Sequence, residues 1–162
     1  MNYQSNAANF ITQFMGVGLL DQEINTCDLV STAKVLSLSS ESCSLFLAVR
    51  LALWYGMTFQ PSKVLLVMPN LQREKVACTE LHVAYKSSAN LLGARSSYGE
   101  VMWNMDHYIK VMSVTANNLE RLMGYVSEHL FIILYNTRSL DVMNVVLSLI
   151  QSDQSKLIIL EN

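Results

Sequence analysis

Three short runs, Lys63–Met68 (KVLLVM), Leu130–Tyr135 (LFIILY) and Lys156–Leu160 (KLIIL), are apolar almost throughout and are bounded by polar or turn-forming residues. A strand with one wet face alternates apolar and polar residues. A run without alternation needs cover on both faces, which suits parallel strands between two layers of helix. Helical spacing recurs between these runs. Ser44–Trp54 reads as a helix buried on most sides, Asn70–Lys86 as an amphipathic helix with Leu71, Val76, Leu81 and Val83 toward the core, and Ser139–Gln151 as a helix carrying Leu140, Met143, Val146, Leu147 and Ile150. Ala33–Leu38 (AKVLSL) supplies a further strand. Glu100–Trp103 and Tyr108–Val114 form two more, joined by a turn at 104–107, and a short helix covers Asn118–Met123. Phe10, Phe14, Val17 and Leu20 have helical spacing, whereas the first nine residues read as a flexible terminus. Strands alternating with helices predict an open α/β sheet in one domain spanning 1–162.

Charged residues are only 15% of the chain against 51% hydrophobic, so part of the surface is expected to be apolar and to meet a protein partner or a second copy. The net charge of -2 disfavours a protein held to nucleic acid by phosphate neutralisation. Arg73, Lys75, Arg95 and Lys110 remain as a candidate basic set. Cys27, Cys43 and Cys78 are odd in number and widely spaced, and read as reduced core thiols of an intracellular protein. The longest apolar run, 45–57, is interrupted by Arg50 and too short for a bilayer, so no membrane is expected.

In an open α/β sheet ligands bind beyond the carboxyl ends of the strands. The turn after Ala33–Leu38, Ser39-Ser40-Glu41-Ser42-Cys43-Ser44, lies between a strand and a helix, the context of a phosphate loop. With Ser44 at the Ser/Thr position, Cys43 stands where such a loop has Lys and Ser42 where it has Gly. Glu41 adds negative charge. After Leu130–Tyr135, where an ATPase strand ends in acids for the metal and the water, the chain has Tyr135-Asn136. The histidines His82, His107 and His129 show no metal-ligand spacing, and Asp106-His107 are good turn residues. Met102, Trp103 and Met105 mark a hairpin able to project from the sheet.

The order of these features resembles the ATPase domain of viral large terminases, motors that pump DNA into capsids. The segments VLSLSSESCSLFLAVRLALWYG, KVLLVMPNLQREKV and MWNMDHYIKVMSVTANNLERLMGYVSEHLFIILYN carry the likeness over roughly 10–162. Superfamily 2 helicases share much of this order. The resemblance implies a three-layer αβα P-loop NTPase-like fold of the RecA/ASCE type, mostly parallel, with a β-hairpin insertion. It also implies an adenine contact at Gln22, a degenerate Walker A loop at Ser39–Ser44 and a degenerate Walker B at Tyr135 and Asn136. With those positions altered, the expectation is a pseudo-ATPase, not an enzyme. It would act without cofactor or metal, through protein contacts, as a structural or regulatory subunit. The alternatives are a nucleotide-binding or weakly active module completed by a partner chain, and a nucleic-acid-binding fragment.

Overall fold

A computed structural model describes residues 6–125 and 127–162. Seven strands form one sheet in the order β1-β7-β6-β2-β5-β4-β3. They are β1 (Val35–Ser39), β2 (Lys63–Met68), β3 (Arg95–Ser97), β4 (Glu100–Asn104), β5 (His107–Ser113), β6 (Leu130–Tyr135) and β7 (Lys156–Glu161). The β1–β7, β7–β6, β6–β2 and β2–β5 pairs are parallel, whereas β4 runs antiparallel to β5 and to β3.

Helices cover both faces, and the alternation of β2 and β6 divides two cores. On one face Val64, Leu66, Met68, Phe131 and Ile133 meet α3 (Leu45–Thr58) and α4 (Leu71–Leu92). Trp54, Tyr55 and Phe131 form an aromatic group there, with Tyr55 and Phe131 ring centroids 4.7 Å apart. On the other face Leu65, Val67, Leu130, Ile132 and Leu134 pack against α5 (Leu140–Leu149) and a 3-10 turn at Leu119–Leu122. Thus the absence of alternation in these strands corresponds to cover on both sides.

The N-terminal part departs from expectation. Ala7–Asn9 forms the short helix α1, which continues as a π-helical turn, Phe10–Phe14. Ala7, Phe10 and Ile11 are fully buried and Ala8 nearly so, so the flexible terminus does not extend through residue 9. Burial outweighs the weak local propensity. The helix continued to Leu20 is also replaced, since Gly16 takes φ +69° and a separate helix, α2 (Asp21–Thr32), follows. A Glu23 carboxylate accepting the Leu20 N–H (2.9 Å) closes the first turn of α2.

Two helix faces also differ. Leu71, Val76 and Val83 of α4 are about half exposed; the expected Leu81 is buried, together with Ala77, Cys78 and Ala84. In α5, Leu140 and Leu147 are exposed while Val142 and Val146 are buried. The hairpin does not project. Its two strands lie in the sheet, Trp103 stacks on His107 (4.3 Å), and of Met102, Trp103 and Met105 only Met105, at the turn, is exposed. Among the described residues no helix is long and apolar enough to cross a membrane.

Candidate functional site

The carboxyl ends of β1, β6 and β7 meet around the loop 39–44, so Ser39–Ser44, Tyr135 and Asn136 lie at one end of the sheet. Gln22 joins them. A cavity of about 250 Å³ is lined by Leu20, Gln22, Glu23, Glu41, Ser42 and Ser44. Ser42 and Ser44 face this cavity, whereas Cys43 is fully buried in the core. Burial pushes the Cys43 thiol up from its ordinary pKa, against hydrogen bonds from Ser42 and the Ser40 backbone that pull it down. Larger hollows of about 330 and 550 Å³ lie over β3 and β4, away from the loop.

The loop is tied to itself and its neighbours. The Ser40 N–H donates to the Glu161 carbonyl (3.0 Å), the Ser42 N–H to Ser40 Oγ (3.1 Å) and the Cys43 N–H to the Ser40 carbonyl (3.1 Å). Ser42 Oγ lies 2.9 Å from Ser40 Oγ and 3.2 Å from Thr26 Oγ1, which fastens α2 to the loop. Ser44 is the N-cap of α3, its hydroxyl accepting the Leu47 N–H at 3.2 Å. Asn162 Nδ2 donates to the carbonyls of Glu41 and Cys43, each at 3.4 Å. Asn162 is itself held by Asn136, whose Oδ1 accepts the Asn162 N–H at 2.9 Å. Asn136 adopts φ +50°, a left-handed conformation that asparagine tolerates better than most residues.

Tyr135 is buried, and its phenol lies against the Leu45 backbone at the start of α3. Burial raises its phenol above the ordinary value, partly offset by the positive charge of Arg73 and by the Leu45 backbone. The first turn of a helix leaves N–H groups without intrahelical partners, which is why helix N-termini take anions. Here a phenol oxygen lies beside one of those donors. Arg138, just beyond Tyr135, pairs with Glu161 at 3.2 Å and is largely exposed.

Thr26, Arg138 and the contact between Tyr135 and Leu45 were missed in the sequence. Thr26 sits on an unrecognised helix, and the other two follow from placing β7 beside β1. The basic set does not form one patch. Arg73 and Lys75 lie on the α4 face of the sheet, whereas Lys110 projects from the opposite face, between the Tyr108 and Tyr125 rings. Among the described residues no group of three His, Cys, Asp or Glu side chains could hold a metal ion.

No protein-family profile matches the sequence, and no curated protein does. Solved structures match over nearly the whole chain. The large terminase ATPase domain of Thermus phage P74-26 aligns with a TM-score of 0.66 at 9% identity, over 93% of this chain and 67% of that one. The fold is that of a large-terminase ATPase domain. The HK97 bacteriophage large terminase (TM-score 0.66, 10% identity) and the large terminase of a thermophilic bacteriophage in complex with ADP (0.61, 12%) align over 99% of this chain. This chain spans 38% of the length of each of those two terminases. The comparison corrects one expectation: a non-enzyme does not follow from the altered loop, because the structures sharing this terminase fold are ATPase domains.

Proposed function

We propose that this terminase-fold chain is a nucleotide-binding module of a viral assembly, with its loop site completed by a neighbouring chain. The observation that carries the reading is the cavity joining Gln22 to Ser42 and Ser44, which puts an amide able to read a base beside the mouth of the loop. At about 250 Å³ it is smaller than the roughly 300–1,000 Å³ of small-molecule pockets, so it accepts one end of a nucleotide. The other end needs positive charge, because phosphate contacts rely on Lys, Arg or a metal ion. The loop offers Glu41 and no cation of its own, so the missing charge comes from outside it.

The test is isothermal titration of the purified chain with ATP and magnesium, with light scattering for the assembled mass. Saturable heat from the assembled chain, weakened about tenfold by Gln22→Ala, is the expected result. No heat from an assembled, folded chain refutes the reading.

One observation favours a second reading, a structural or regulatory subunit acting through contact with a motor ATPase. Asn162 and Tyr135 tie the loop to β6 and β7, which makes it a fixed junction able to present a surface. Stoichiometric binding to a terminase-type ATPase, unaffected by nucleotide, supports that reading over the first.

A further inference from the structure

At the end of the sheet opposite the loop, the amino ends of β1 and β7 and the last turns of α2 and α3 surround a cavity of about 180 Å³. Its wall includes Thr32, Lys34, Tyr55, Phe59, Ser155 and Lys156. The length of β1 separates it from the loop 39–44, roughly 20 Å. Two of the wall residues are polar and buried: Lys156 is 8% exposed and Ser155 2%.

Lys156 is a buried cation without a counter-ion. Its ammonium donates to the Val30 carbonyl in the last turn of α2 and lies 5.9 Å from the Trp54 ring centroid. Among the described residues no carboxylate pairs with it. Burial lowers Lys156 to about 8, so at neutral pH it is charged and its lost hydration is not repaid. Buried charges are ordinarily paired. An ammonium has three N–H donors, and Val30 takes one of them.

Ser155 adds a second unmet donor, since its Oγ is buried and has no hydrogen-bond partner among the described residues. The backbone around it is fixed. The Ser155 N–H donates to the Ser152 carbonyl (3.0 Å), and the Tyr55 hydroxyl donates to the neighbouring Gln154 carbonyl (2.9 Å). Lys34 brings another ammonium to the rim, where the Ser152 carbonyl (3.0 Å) and Asp153 Oδ1 (4.0 Å) hold it only weakly.

We propose that this cavity binds a small oxyanion of the phosphate class, with Lys156 as its charge partner, Ser155 as a hydroxyl donor and Lys34 reaching it from the rim. Charge selects an anion: two ammonium groups stand against one carboxylate, Asp153, whose side chain is fully exposed. Size selects a small one. The cavity is several times the roughly 30 Å³ share of a water molecule and smaller than the roughly 300–1,000 Å³ of drug-sized pockets. Lysine suits the task, because an ammonium meets an oxyanion as a point charge. A tetrahedral oxyanion presents acceptors in several directions, as donors on β7 and ahead of β1 require, whereas a carboxylate has two oxygens in one plane. Neither the loop nor the nucleotide reading enters this argument.

Inorganic phosphate, added to the folded chain at constant ionic strength, is expected to raise Tm saturably, by about 3–6 °C at ten times Kd. Acetate is expected to bind at least about tenfold more weakly. Amide shifts on titration are expected at Ser155 and Lys156, together with the Trp54 indole. Lys156→Met is expected to abolish the effect and Ser155→Ala to weaken it severalfold. Ser155→Ala removes an unpaired buried hydroxyl, so it is expected to fold normally and to carry the test if Lys156→Met does not fold. Gln22→Ala is expected to leave phosphate binding unchanged.

No saturable rise in the unsubstituted chain overturns the site, whatever ATP does at the loop. A rise that survives unchanged in folded Lys156→Met or in Ser155→Ala, or shifts confined to residues 39–44, overturns it as well. Equal binding of acetate overturns the assignment to the phosphate class. Phosphate binding lost with Lys156→Met, in a chain that takes no ATP, supports the site and overturns the nucleotide reading alone.

Discussion

Replacing Tyr135 by Phe removes one oxygen and leaves the ring. The change isolates the polar contact between the end of β6 and the start of α3. Tyr135 is 6% exposed, and its phenol oxygen is placed to take the Leu45 N–H, a first-turn donor with no partner inside the helix. Stranding a buried donor costs about 1–3 kcal/mol, and the lower desolvation cost of Phe returns part of it, leaving about 1–2 kcal/mol. For a chain of this size that is a fall in Tm of about 2–8 °C. Urea unfolding followed by tryptophan fluorescence reads the loss, with buried Trp54 as reporter. The same change frees an N–H aimed at the loop, so MgATP affinity should rise as stability falls. Tyr55→Phe is the control: its hydroxyl donates to the Gln154 carbonyl (2.9 Å), so it should cost similar stability and leave nucleotide affinity unchanged. An unchanged urea midpoint for Tyr135→Phe would refute the argument.

Other consequences can be measured on the same samples. Arg50 is 5% exposed and bonds Glu80 at 2.5 Å, so Glu80→Ala strands a buried guanidinium and should cost about 3–5 kcal/mol in urea unfolding. Arg50→Met should cost far less, because the charge it leaves behind, on Glu80, is 27% exposed and reaches solvent; equal costs would sink the reasoning. Cys43→Lys, which restores the residue type of a phosphate loop, should destabilise the chain by several kcal/mol, because position 43 faces the core. A stable Cys43→Lys chain with much tighter ATP binding would show that the position faces the ligand. Burial lowers the Lys156 ammonium from 10.5 to about 8. Below pH 8 it is charged in both states and its burial penalty is complete. Between about pH 8 and 10.5 the unfolded chain binds more protons, so stability rises relative to Lys156→Met, by at most about 3 kcal/mol. A flat difference across that window would contradict it.

The strands of the buried sheet were legible because their lack of alternation has one physical cause, cover on both faces. β2 and β6 have the bounds read from sequence, and β7 extends one residue further. Elements stabilised by context were not legible. α2, DQEINTCDLVST, buries only Thr26, Cys27 and Val30, too few apolar positions to mark a helical face. β3, Arg-Ser-Ser, has no apolar residue and exists because β4 pairs with it. On α4 the larger Leu71, Val76 and Val83 suggested the wrong face, since close packing there uses small residues, Ala77, Cys78 and Ala84. The location of the candidate site followed from strand, turn and helix. Its closure did not, because Tyr135 and Asn162 reach the loop only once β6 and β7 lie beside β1.

The two cores differ in how firmly they hold what covers them. The α3 side has a continuous aromatic group and a helix with ten successive buried residues, whereas α5 is anchored mainly through Val142 and Val146, with Ile150 just beyond it. A protein built this way need not open all at once. α5 can detach while the sheet and α3 remain, exposing Leu65, Val67, Ile132 and Leu134 as a transient apolar surface. Amides of α5 should then exchange through a partial opening well below the global unfolding energy. Aggregation on mild heating should begin from that face of the sheet.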